Sequence, residues 1–199
     1  MKVDTRLANL ENGRRFKLYP AYKDSGVGWL GKIPKHWEVR RLKTIASVDL
    51  SNVDKKSVEG QTPVRLCNYI DVYYNEHITN RIEFMPATAT PEQARRFKLQ
   101  IGDVLVTKDS ESWTDIAVPA VVTEELQDVL CGYHLALARP MTSTLNGRFL
   151  ARSFSAIGLR DQFWVAANGV TRFGLSSDAI RTGVFMVPRF LSSVPLLLS

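Results

Sequence analysis

Asp49 and the string Asp54-Lys55-Lys56 are the nearest the sequence comes to a catalytic arrangement. Paired carboxylates beside a lysine are what a metal-dependent nuclease uses to hold a divalent ion. Residues 51–63 (SNVDKKSVEGQTP) are a loop by composition, however, and short D-x-K strings are common by chance. The three histidines, His36, His77 and His134, lack metal-binding spacing. Cys67 and Cys131 are too few and too isolated for a zinc site or a disulfide framework, and read as free, buried thiols. There is no GxSxG elbow, no P-loop and no GxGxxG; Gly26-Val27-Gly28 is a bare GxG without the strand and helix of a phosphate site. No catalytic residue, metal ligand or cofactor is expected, and the chain reads as a binder.

Charge indicates what it would bind. The net charge of +6 is unevenly distributed. Residues 1–49 carry eleven basic against five acidic side chains, residues 50–144 nine against thirteen, and residues 145–199 six against two. Basic ends around an acidic middle suit a polyanion such as nucleic acid, although interleaved charges also simply solvate a surface. At 199 residues and 45% apolar, the chain is long enough to bury a core, and no apolar run reaches the length needed to cross a bilayer. The amino terminus lacks the apolar core of a secretory signal, which points to the cytoplasm.

The elements that must position these residues begin with a turn-rich strap. Residues 19–43 (YPAYKDSGVGWLGKIPKHWEVRRLK) carry Tyr19, Tyr22, Trp29 and Trp37 among glycines and prolines. So many large aromatic rings predict a strap pinned against a core, delivering a basic helix over residues 37–46. An extended stretch, 45–50, follows. VRLCNYIDVYY (64–74) predicts one or two strands, with Arg65 and Asn68 at a sheet edge or facing a ligand. Thr90-Pro91 opens a short helix as N-cap and first helical residue. Residues 103–108, 116–123 and 129–139 predict strands, with Pro119 marking an edge or bulge and Gly132 a bulge beside Tyr133 and His134. Residues 145–167 are the longest helical candidate, open to interruption at Gly158 and ended by Asn168-Gly169. A short helix at 177–181 and a strand at 184–187 close the pattern. Irregular mixing of this kind predicts an α+β fold with a mixed, largely antiparallel sheet and several helices.

The strap resembles the characteristic opening of type I restriction–modification specificity subunits. GDVLVTKDSESWTDIAVPA (102–120), VLCGYHLALARP (129–140) and the run from FLARSF to GVTRFGLSSDAIR (149–181) agree with that family in the same order. The strap and GVTRFGLS are the more specific of these signals. The resemblance implies a DNA target recognition domain. Subunits of that family usually hold two such domains separated by long helices, each reading half of a split target. They act with adenine-methylating modification subunits and ATP-dependent restriction subunits, and have no catalytic centre themselves. Within this chain the resemblance implies a polar extension (1–18), one recognition domain (19–187) and an atypical tail (188–199). After GVFMVP the family continues into a Pro-Pro and Glu-Gln motif and a spacer helix. Here RFLSSVPLLLS follows instead, read as a remnant of truncation or frameshift, or as an apolar patch for self-association.

Under this resemblance double-stranded DNA is the expected ligand. Arg65, Asn68, Lys108, Ser110, Trp113, Tyr133 and His134 are the expected base readers, since Arg and Lys suit guanine acceptors and Asn suits adenine. Lys55, Lys56, Arg152 and Arg172 are the expected phosphate ligands. For Lys55 and Lys56 a solvated turn remains the alternative, and for Tyr133 and His134 a position beside a strand bulge. Modification and restriction subunits are the expected protein partners, and a homodimer would restore two half-sites. Two other classes stay open: a stand-alone nuclease using Asp49 and Asp54, and a basic module that binds a protein.

Overall fold

Residues 104–107 (VLVT) and 135–138 (LALA) are almost wholly apolar, so strands built from them must bury both faces. The computed structural model describes residues 18–141 and 145–189, and meets that demand by enclosing a central sheet between a second sheet and a group of helices. The chain runs through β1 (Tyr22–Asp24), β2 (Lys32–Pro34), β3 (Trp37–Arg41), β4 (Ala46–Leu50), β5 (Thr62–Cys67) and α1 (Tyr69–Tyr73). There follow β6 (His77–Ile78), β7 (Met85–Ala89), α2 (Pro91–Phe97), β8 (Val104–Thr107), β9 (Asp109–Ser110), β10 (Pro119–Val122) and β11 (Val129–Cys131). The last elements are β12 (Leu135–Pro140), α3 (Gly147–Ser155), α4 (Asp161–Ala166), β13 (Phe173–Gly174), α5 (Ser177–Thr182) and β14 (Val184–Pro188).

The central sheet has the order β4-β12-β8-β10-β6 and is antiparallel except between β10 and β6. The second has the order β11-β5-β7, parallel in its first pair and antiparallel in its second. Among the described residues three further antiparallel pairs are present, β1-β2, β13-β9 and β14-β3. The architecture is α+β with mixed, largely antiparallel sheets.

The two-residue period of the strands sorts the central sheet's side chains into two cores. Leu105, Leu135 and Leu137 enter one with Val64, Leu66 and Leu130 of the second sheet. Val104, Val106, Ala136 and Ala138 enter the other with Leu150, Phe154, Phe163 and Phe185. There Phe154 stacks on Phe163 at 5.3 Å and meets Phe185 edge-on at 4.8 Å, geometries that aromatic quadrupoles favour.

Local chemistry accounts for the elements that match their sequence pattern. Thr90 Oγ1 accepts the Gln93 N–H (3.2 Å) while Gln93 Oε1 accepts the Thr90 N–H (3.0 Å), a reciprocal cap for α2. Ser176 Oγ accepts the Ala179 N–H at the start of α5. The helical stretch 145–167 divides into α3 and α4, with Gly158 at φ +85° in the break.

Elsewhere the structure departs from expectation. Residues 37–41 are a strand, not a basic helix, because β14 pairs with them from Val184↔Arg41 to Pro188↔Trp37; only a 3-10 turn, Leu42–Thr44, follows. The stretch 129–139 is two strands in different sheets. Gly132 is the crossing point rather than a bulge, its N–H donating to Cys67 O at 2.9 Å. Pro119 begins an interior strand, where it is tolerated because β6 reaches only Val121 and Val122. Asn168 does not end α4, whose cap is Ala167; it exchanges backbone hydrogen bonds with Gly174 instead. In the strap, Ile33 is buried and Trp37 meets Phe149 at 5.7 Å, but Tyr19, Tyr22 and Trp29 stay between 42% and 51% exposed. A short hairpin has too little apolar surface to bury four aromatic rings. The expected polar extension and C-terminal tail lie outside the described residues, apart from Leu18, Pro188 and Arg189.

Cys67 and Cys131 are free, fully buried and opposite one another in the β5–β11 register. Burial raises both thiols well above their usual range, with Asp71 adding to the first and Asp103 to the second. Neither should react with a disulfide reagent at neutral pH while the protein is folded, and both should react in guanidinium. One equivalent titrating in the native protein would contradict this packing.

Candidate nucleic-acid interface

Four distant segments meet at one groove because each is locked by a specific local bond. Asn68 ends β5 and opens α1, its N–H donating to the Asp71 carboxylate at 2.7 Å. This turns YIDVY, predicted as strand, into a helix. It also sets Tyr69 and Tyr73 one turn apart, where their rings stack at 5.5 Å and 14°. From the second segment comes β9, held by β13 through Phe173↔Ser110 and Gly174↔Asp109, and by the Leu175 N–H donating to Lys108 O. GVTRFGLS is thereby fastened beside DSESW. A Cβ on Gly132 would lie 2.8 Å from Cys67 O and 3.0 Å from Asn68 Oδ1, so only glycine lets the turn carrying Tyr133 and His134 approach α1 this closely.

The groove encloses about 450 Å³ and is lined by Tyr69 and Tyr73 of α1 and Tyr74 at its end, by Ser110, Glu111 and His134, and by Lys55 and Arg172. Much of its polar surface is already engaged. Asp109 Oδ2 takes an ion pair from Lys108 Nζ (2.5 Å) and lies 3.2 Å from His134 Nδ1. Lys108 also sits 4.8 Å from the centre of the Tyr133 ring, a cation–π contact. Tyr69 Oη and Ser110 Oγ are 3.2 Å apart, and the Tyr73 hydroxyl donates to Asp115 Oδ1 at 3.2 Å. Burial raises the Tyr69 phenol, while the Asp115 charge is the main cause raising that of Tyr73, so both rings remain neutral well past physiological pH. Lys55 and Arg172 differ from these groups. Among the described residues neither side chain has an ion-pair or hydrogen-bond partner, and both are exposed.

Of the residues singled out in the sequence, Lys55, Ser110, His134 and Arg172 come together on this lining. Lys108 and Tyr133 are not on the lining but contact residues that are, Lys108 through Asp109 and Tyr133 through His134 at 4.9 Å. Lys108 is 8% exposed and committed to Asp109, so it orders the site rather than reaching outward. Trp113 is half exposed and edge-on to Trp164 at 5.2 Å; Trp164 is in turn fixed by Arg160 at 4.0 Å and by Ile116 O. The others lie apart. Arg65 donates to Gln127 O and covers Phe84 on the second sheet. Asn68 is buried at the head of α1 and cannot present its amide to a base. Lys56 pairs with Asp54 at 3.4 Å. Arg152 pairs with Glu76 at 3.0 Å and lines a separate cleft of about 170 Å³ with Arg148 and Ser155.

Tyr69, Tyr73, Tyr74 and Glu111 escaped the sequence reading. The signal for the tyrosines was the Asn68-x-x-Asp71 spacing of a helix cap, hidden by the β-forming run around it. As for the nuclease constellation, Asp49 accepts from both Nε (3.0 Å) and Nη2 (2.5 Å) of Arg96 and is committed to that pair. Asp54 is exposed and its carboxyl lowered, chiefly by the Lys55 backbone N–H. Among the described residues no three His, Cys, Asp or Glu side chains are grouped closely enough to hold a metal ion, and no helix is long and apolar enough to cross a membrane.

No protein-family model matches the sequence, and no curated protein does. Solved structures do match. One, titled for the assembly and conformational transition of the type I R-M system, superposes with a TM-score of 0.54 at 14% identity, over 84% of this chain and 37% of its own. The HsdS subunit of Thermoanaerobacter tengcongensis superposes with the same TM-score and identity, over 84% of this chain and 36% of its own. This chain thus spans little more than a third of either neighbour, and over that third it has the fold of a type I restriction–modification S subunit.

Proposed function

We propose that the chain is a DNA target recognition domain that reads one half of a split duplex target for a type I restriction–modification complex. The observation that carries this is the groove itself. Two cations without a partner among the described residues, Lys55 and Arg172, share its lining with three tyrosines, on a fold shared with S subunits. Cations without internal partners suit phosphates, which give affinity and register, whereas Ser110 and His134 on the same lining are the groups left to meet base edges, with Tyr133 and Trp113 exposed nearby in sequence. Adenine methylation and ATP-driven cleavage then belong to modification and restriction subunits, and this chain contributes no catalytic group or cofactor. Self-association would supply two half-sites.

A single half-site reader should bind duplex DNA weakly, with a dissociation constant in the range of ~10⁻⁴–10⁻⁶ M, and more weakly as salt rises. Fluorescence anisotropy of a labelled random duplex, titrated with the full chain at several salt concentrations, tests this. Loss of affinity linear in log salt is the expected result. Absence of binding at low salt would instead favour a basic protein-interaction module, and metal-dependent nicking a nuclease.

A further inference from the structure

The polar side chains of the groove divide into those already used by the protein and those left over. Asp109 serves Lys108 and His134, Asp115 serves Tyr73, and Ser110 serves Tyr69 and the Ser112 N–H. Glu111 is the exception among the groove's acids. It is exposed on the lining, and among the described residues no hydrogen bond or ion pair engages its carboxylate. Neither Lys55 nor Arg172 comes within ion-pairing distance of it, although all three share the groove.

The backbone on either side of Glu111 is pinned. Ser110 pairs with Phe173 across β9 and β13, and Ser112 Oγ accepts the Thr114 N–H and contacts Thr114 Oγ1 at 2.7 Å. The root of the side chain is therefore fixed while its carboxylate stays unassigned, the arrangement a recognition group needs. Against a phosphate backbone a lone carboxylate is repulsive. Within the major groove it has complementary partners, because cytosine N4 and adenine N6 are amino donors there, whereas guanine and thymine offer only acceptors or a methyl group.

Resting on the DNA-recognition reading above, we infer that Glu111 is a specificity-determining residue that accepts a hydrogen bond from the amino group of cytosine or adenine. It excludes guanine and thymine from that position of the contacted strand by setting a carboxylate against their carbonyl oxygens. Lys55 and Arg172 hold the backbone close enough for this, and Glu111 decides which base is admitted.

Selection of bound duplexes from a random pool by the full-length chain, followed by sequencing, tests the inference with wild type, Glu111→Ala and Glu111→Gln. Wild type should enrich an amino-bearing base at one position, about ten- to hundredfold over the excluded bases. Glu111→Ala should lose that enrichment alone, keep the rest of the profile and bind random duplex no more weakly than wild type. Glu111→Gln should favour adenine there, since a carboxamide pairs with both N6 and N7. Identical base profiles for wild type and Glu111→Ala would overturn the inference. So would a change spread over every position with an altered thermal melt, which would mark Glu111 as a shaping residue. A wild type that binds duplex without any base preference would also overturn it, leaving DNA binding intact. A wild type that retains no duplex would sink the DNA reading beneath it.

Discussion

Arg139→Met is expected to destabilise the folded chain by about 3 kcal/mol, the largest loss foreseen for any charged residue. Its partner Asp103 is 1% exposed at the head of β8 and accepts Nε of Arg139 at 2.7 Å, Nη2 at 2.8 Å and the Gln100 N–H at 2.8 Å. The same guanidinium donates to Lys98 O at 2.9 Å, joining the end of α2 to the central sheet. Mutual support is visible in the arginine, whose pKa is raised chiefly by its hydrogen bonds to Asp103. With the cation gone, a buried carboxylate keeps one donor of three, and an uncompensated buried charge costs far more than an intact pair gains. The arginine is about one-third open to water, which places the estimate at the low end of the usual 3–5 kcal/mol range for such losses. Urea unfolding followed by tryptophan fluorescence measures the loss. The double variant Asp103→Asn/Arg139→Met should recover part of it by removing the stranded charge. Arg152→Ala, which breaks the exposed pair with Glu76, should cost no more than ~1 kcal/mol. Equal losses from Arg139→Met and Arg152→Ala would mean that Asp103 is not the buried anchor described.

The contrast between legible and illegible elements follows the range of the forces that form them. α2 could be read because Thr90, Pro91 and Gln93 complete its cap within four residues. The buried strands β8 and β12 could be read because both faces are apolar, whatever lies beside them. β3 could not. Its hydrogen bonds come from β14, more than 140 residues later in the chain, and locally Val39 and Leu42 keep a helical spacing. α1 was lost to the opposite error, for Tyr, Ile and Val favour strands until the Asn68–Asp71 cap is weighed against them. The site shows the same division. Residue type was enough to raise Lys55, Ser110, His134 and Arg172 as candidates, and the fold gathers all four. Type was not enough for Arg65 and Asn68, which the structure places against Gln127 and Phe84 and at the buried head of α1 respectively. Nor could the sequence distinguish Glu111 from Asp109 and Asp115, since what separates them is which carboxylates the protein itself has taken.

Replacing both Lys55 and Arg172 with alanine should weaken binding to every duplex and reduce the slope of log affinity against log salt by about two units. Each phosphate released from contact with a cation removes about 0.9 from that slope, because one fewer condensed counterion is displaced from the DNA. The two residues are suited to the test because neither carries structure: Lys55 uses only its backbone N–H, with Asp54, and Arg172 lies in an exposed loop beside β13. Fold and stability should therefore hold. Lys56→Ala and Arg152→Ala provide the comparison. Each of these cations already has an acidic partner, at 3.4 Å and 3.0 Å, and that partner would remain as a repulsive charge near any phosphate they approached. Their removal should change the slope little. Anisotropy titrations on one fixed duplex and one random duplex, from low to near-physiological salt, separate the cases. A reduced slope on both duplexes assigns Lys55 and Arg172 to the backbone. An unchanged slope for the double variant would move the phosphate contacts to another face, for which the strap with its exposed Lys23, Lys32 and Lys35 is a candidate.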